Sequence, residues 1–242
     1  MKNMNNLCRK LINYLLIVIE LFILGLYFIP EYFLVEVNYD NFLVLFYYIV
    51  VIFIHSFIDF KEWSKGHILF RFAFLFTLCA DYLMTYLGTY YELSIIFFFF
   101  AQLSYFLFIN YNFKCQYLKS SIIIYGSLVI SLVIVALILK LINLLTIIAI
   151  IYFSLSLTNI VYLIRIKNKG LINYLFLLGL VLFLLCDTCI GLQNVGISNV
   201  KVTDILSDLV WIFYAPSQMV LVLTLTNYYQ KEVNYDKKNI KS

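Results

Sequence analysis

Charge is scarce in this chain. Lys, Arg, Asp and Glu make up 12% of its 242 residues, where a soluble domain carries about a quarter. Thirty charged side chains are too few to solvate the surface of so large a body, which excludes an ordinary cytosolic domain and a disordered chain. Proline and glycine number two and eight, and five cysteines in this length do not make a disulfide scaffold. With two histidines there is no zinc site of the usual three-ligand kind, although carboxylates can ligate metals. A Gly-x-Ser-x-Gly elbow and a phosphate-cradling loop are both missing. Apolar residues are abundant instead, at 64%, of which aromatics supply 19% of the chain. Lipid admits only structures whose backbone polar groups pair internally, so the composition predicts an all-α, polytopic transmembrane bundle.

A span needs about 20 mostly apolar residues. Eight such runs are present, at 11–29, 42–58, 68–87, 93–109, 121–139, 144–163, 171–191 and 205–226. The fifth and sixth form one long apolar stretch, interrupted by Lys140 and Asn143, and this interruption predicts a tight hairpin turn. No connection is long enough for a soluble domain, so residues 1–242 read as a single integral membrane domain.

Lys and Arg orient the bundle. With eight spans, fifteen of the seventeen fall on one side and only Lys140 and Lys201 on the other, which predicts cytoplasmic termini. Glu31, Glu36 and Asp40 accompany the first outer loop. The net charge of +4 therefore reflects topology, and no basic, aromatic-interleaved groove marks a nucleic-acid partner. The first apolar run is too long for a signal peptide and has no small-x-small cleavage site, so it reads as an uncleaved anchor. The expected location is a bacterial cytoplasmic membrane. Oligomeric state is not legible, because apolar faces toward lipid and toward another subunit look alike.

Charged groups at mid-membrane cost several kcal/mol and are the first places to look for function. Glu20, Asp81, Asp187 and, near a span end, Asp208 qualify. Asp81 lies about 20 Å along the third span, with Thr77 and Thr85 on its helical face. Asp187 reaches similar depth in the seventh span. Gln102 and Tyr105 approach that depth on the fourth, as do Trp211, Tyr214 and Gln218 on the eighth. Four spans thus offer polar groups to one zone. Taken singly, Gln102, Tyr105 and Tyr214 also read as interhelical hydrogen-bond glue. A carboxylate is an expensive glue, so the two aspartates point further toward function. Glu20 has no polar stripe of its own. His55 and His67 sit toward the cytoplasmic side, and Cys186-x-x-Cys189 reads most simply as two small apolar thiols.

Four patches in this order carry a resemblance. They are Ala80-Asp81 followed by Leu83-Met84, Gln102-Leu103-Ser104-Tyr105, Phe183-Leu184-Leu185-Cys186-Asp187 and Tyr214-Ala215-Pro216-Ser217-Gln218. Together they resemble the YhhN, or lysoplasmalogenase-like, family of eight-span membrane proteins. Two departures stand out: Gln102 occupies a position where members often carry His, and the second-span Lys-Pro is missing. The resemblance implies hydrolysis of the vinyl ether bond of lysoplasmalogens to a fatty aldehyde and a glycerophospho-headgroup, without a cofactor or metal. Asp81 and Asp187 would then be the catalytic acid and base, in an order left open. Gln102, Tyr105, Tyr214 and Gln218 would bind the substrate, a membrane lysophospholipid entering sideways between helices. Vinyl ether cleavage starts by protonation at carbon, which needs a neutral carboxylic acid, the form that burial favours. A second carboxylate would steady the oxocarbenium ion, as paired carboxylates do in glycosidases. Two other classes remain open at this point: a proton-coupled transporter of a small amphiphile, and a noncatalytic lipid-binding or sensing protein.

Overall fold

The computed structural model describes residues 6–33, 41–57, 65–88, 90–112, 117–166, 170–194 and 200–239. Among them every regular element is helical. The helices are α1 (Asn6–Phe33), α2 (Asn41–Ser56), α3 (Lys65–Asp81), α4 (Tyr91–Asn112), α5 (Leu118–Ile138), α6 (Leu144–Arg165), α7 (Leu171–Asn194) and α8 (Val200–Asn239). Helix α3 continues into a π-helical turn at Tyr82–Leu87. Each of α3 to α8 contains a stretch long and apolar enough to cross a membrane. Shorter apolar stretches are described in the first two helices, Leu11–Gly25 and Tyr47–Ser56. The protein is an all-α membrane bundle.

The helices follow the apolar runs closely, with one large difference. Helix α8 runs on to Asn239, past the end of its apolar run at Thr226, because no proline or glycine follows to stop it. The hairpin between α5 and α6 falls where Lys140 and Asn143 placed it. Lys140 adopts a left-handed backbone with φ of 56°, and the Asn143 side chain caps α6 by accepting from the Thr146 N–H at 2.7 Å. Glu36, Asp40, Lys61, Lys114, Lys167 and Lys169, part of the charge pattern that orients the spans, lie outside the described residues.

Association of helices in lipid depends on close packing and hydrogen bonds, since the tails are as apolar as the side chains. The α7–α8 contact is built on that rule. A Cβ added at Gly179 would stand 2.8 Å from the Leu221 side chain, so glycine lets the two helices approach. Phe70 on α3, Tyr105 and Phe108 on α4 and Phe176 on α7 form a cluster of ring pairs with centroids 4.9–5.6 Å apart, mostly edge to face. Helix α5 lies to one side against α6. Only 11% of its apolar window is buried in the protein, against 56% for α6, so most of the α5 surface faces away from the rest of the bundle.

Candidate functional site

The π-helical turn begins immediately after Asp81. It ends at Gly88, whose φ of 62° suits glycine and whose N–H closes on the Leu83 carbonyl at 3.1 Å. Single-turn π-helical segments are frequent at functional sites. Asp81 is buried and accepts a hydrogen bond from the Tyr214 hydroxyl of α8. Asp187 on α7 is half-buried and accepts from the Tyr152 hydroxyl of α6 at 2.5 Å. The two carboxyl groups lie close enough to interact electrostatically. The bundle therefore brings together two aspartates from different helices, each held by a tyrosine from a third or fourth.

Gln102 reaches this site from α4. Its side chain lies near the Tyr152 hydroxyl, and its Nε2 makes no hydrogen bond among the described residues. It also accepts, through Oε1 at 3.0 Å and through its own backbone carbonyl at 2.9 Å, from the Asn159 amide on α6. Tyr105, fully buried, is within electrostatic reach of Tyr214. Gln218, also fully buried, stands one turn beyond Tyr214 on α8 and makes a long contact of 3.4 Å from its amide to the Ser217 hydroxyl. Asp81, Asp187, Gln102, Tyr105 and Tyr214 are thus linked in one zone, and Gln218 stands one helical turn from Tyr214. Cys186 is buried within reach of both carboxyl groups, and Trp211 packs edge to face on Tyr214 at 5.8 Å. Among the described residues no three His, Cys, Asp or Glu side chains converge as metal ligands.

Sequence reasoning missed α6. Tyr152 and Asn159 both enter the site, and with Ser156 they occupy one helical face at spacings of four and three. That polar stripe was legible, but it contains no charge to draw attention. The second omission lies elsewhere. Glu20 on α1 meets His55 of α2 at 2.7 Å, from Oε1 to Nδ1, and neither side chain is exposed. Glu20 needs no polar stripe on its own helix because its partner comes from the neighbouring one.

The sequence model of the YhhN family matches residues 41–225, more than half of the chain. The chain belongs to the YhhN family. Every residue of the two-aspartate site lies inside the matched region, whereas α1 and Glu20 precede it. No curated protein and no solved structure matches the chain. Membership of the YhhN family leaves the chemistry to be argued from the site itself.

Proposed function

We propose that this protein is a membrane-embedded hydrolase of the lysoplasmalogenase kind, cleaving the vinyl ether bond of a single-chain ether phospholipid. The observation that carries the reading is the pair Asp81 and Asp187, within electrostatic reach of each other and each hydrogen-bonded by a tyrosine. Family membership supports it. The proposed setting is a bacterial cytoplasmic membrane, with eight spans and both termini on the inside.

One carboxyl group delivers its proton to the alkene carbon remote from the ether oxygen. The carbon bonded to oxygen becomes an oxocarbenium ion, which the other group, as carboxylate, stabilises. That carboxylate takes a proton from water as the water oxygen bonds to the cationic carbon. The resulting hemiacetal gives its hydroxyl proton to the first carboxylate as its C=O forms. Its bond to the glycerol oxygen breaks, and that oxygen takes the proton held by the second carboxyl group, so that both groups are restored. Fatty aldehyde and the glycerophospho-alcohol leave, with one water consumed. Tyr214 and Tyr152 hold the carboxyl groups, while Gln102 orients water or the headgroup oxygens. No step needs a cofactor.

The test is aldehyde release by purified, detergent-solubilised protein from a 1-alkenyl lysophospholipid, with Asp81→Asn and Asp187→Asn alongside. The wild type is expected to release aldehyde, and each variant to lose about a thousandfold or more of the rate, as removal of a catalytic acid or base does. Unchanged turnover in both variants would sink the assignment. Lipid that is bound or moved but never cleaved by the folded wild type would transfer the reading to a lipid-binding protein or a carrier.

A further inference from the structure

A second group of buried polar atoms takes part in none of the bond-making and bond-breaking steps of the proposed hydrolysis. Thr77 on α3, Tyr105 on α4, Asn159 on α6 and Gln218 on α8 are each at most 1% exposed. The Thr77 and Tyr105 hydroxyls, Asn159 Oδ1 and Gln218 Oε1 have no hydrogen-bond partner among the described residues. Buried polar groups are nearly always paired, so these four, on four helices of the bundle, each need a partner that the described residues do not supply.

Their position follows from helix register. Thr77 precedes Asp81 by one turn, and Gln218 follows Tyr214 by one turn. Short connections make successive spans run in opposite directions, so α3 and α8 are antiparallel. With Tyr214 bonded to Asp81, Thr77 and Gln218 therefore fall on the same side of the carboxyl groups, about 6 Å away along the helix axes. Tyr105 is near enough to Tyr214 to interact electrostatically, and Asn159 is tied to Gln102.

The donor and acceptor inventory defines the ligand. None of the four carries a charge. The two amide oxygens only accept, whereas the two hydroxyls donate or accept. A phosphate, all acceptor and negative, would face those amide oxygens with no cation among the four to offset them. An alcohol group donates to an amide oxygen and accepts from a hydroxyl, which satisfies both kinds. We infer that Thr77, Tyr105, Asn159 and Gln218 form a neutral subsite for the secondary hydroxyl of the lipid glycerol, one helical turn from the carboxyl pair. The inference rests on the hydrolase reading for its substrate, since that hydroxyl sits on the glycerol carbon next to the one bearing the ether. The subsite selects a lysolipid, because an acyl group on the same oxygen removes the donor.

The test compares binding of a noncleavable 1-alkyl lysophospholipid with its 2-deoxy counterpart. Trp211, next to Tyr214, reports binding by fluorescence in a Trp63→Phe background, where it is the sole tryptophan. The otherwise unaltered protein is expected to prefer the hydroxylated lipid about tenfold, a typical return for one buried hydrogen bond. Tyr105→Phe and Gln218→Leu should bring that preference close to unity while affinity for the deoxy lipid holds. Both remove an unpaired buried polar atom, so thermal stability should be kept or raised. Equal binding of the two lipids, or a preference that survives both substitutions, overturns the subsite. Because binding is read without turnover, the two proposals fail separately. A hydroxyl preference without aldehyde release removes the hydrolase and keeps the subsite, and aldehyde release without the preference does the reverse.

Discussion

Tyr214 on α8 donates its hydroxyl to the Asp81 carboxyl group on α3, joining residues 133 apart in the chain. Tyr152 does the same for Asp187 across α6 and α7. The symmetry of the arrangement makes the tyrosines the natural first targets. Tyr214→Phe and Tyr152→Phe keep the ring and remove only the donor, leaving a buried carboxyl group short of a partner. Each is expected to lower kcat for aldehyde release about ten- to a hundredfold, corresponding to about 1.5–3 kcal/mol for a hydrogen bond to a charged group. Steady-state kinetics on protein that still elutes as a single folded species checks this.

The Asn159 amide is shared between the Gln102 side chain and the Gln102 backbone carbonyl. Asn159→Leu removes both bonds while filling similar space. It should cost about 1–2 kcal/mol, the value of losing a buried amide's partners within a membrane bundle. Denaturation in mixed micelles measures the loss. A variant as stable as wild type would show that the Asn159–Gln102 contact contributes nothing to holding α4 against α6.

Gly179 sets the α7–α8 spacing, since a methyl group there would meet Leu221 at 2.8 Å. Gly179→Ala is expected to destabilise by about 1–3 kcal/mol through overpacking. Leu221→Ala, introduced with it, should recover part of that by making room. The check is a thermal melt of the two single variants and the double, with a positive coupling between the sites.

Glu20 and His55 form a buried pair between α1 and α2, with Tyr48 of α2 within electrostatic reach of the carboxylate. Removing one member strands the other, so Glu20→Leu or His55→Leu alone should cost about 3–5 kcal/mol. The double substitution should recover most of it, because an apolar pair is cheaper in lipid than an unmatched charge. Melting temperatures of the three variants decide it. Additive losses would mean that the two residues stabilise the bundle independently.

The sequence carried the class of fold and the course of its helices along the chain. Apolar run length locates helices in lipid with little ambiguity, because no other open structure satisfies the backbone there. Lys140 and Asn143 marked the α5–α6 hairpin by chemistry as local as one left-handed residue and one cap. Asp81, Asp187, Gln102, Tyr105, Tyr214 and Gln218 were visible as expensive or polar groups at matched depth, since depth follows from counting residues along a span.

Partnership was a different matter. Depth says how far along the membrane a side chain lies but not which way it faces around the bundle, so the pairing of Asp81 with Tyr214 and of Asp187 with Tyr152 emerged only from helix packing. The same holds for Glu20, whose meaning depends on α2 lying against α1 and bringing His55 to it. Asn159, an uncharged residue on an ordinary apolar helix, gained its place from contact between α4 and α6. Hydropathy is a one-dimensional property that a chain carries with it. Which faces meet is a property of the packed bundle, and only the tertiary structure decided it.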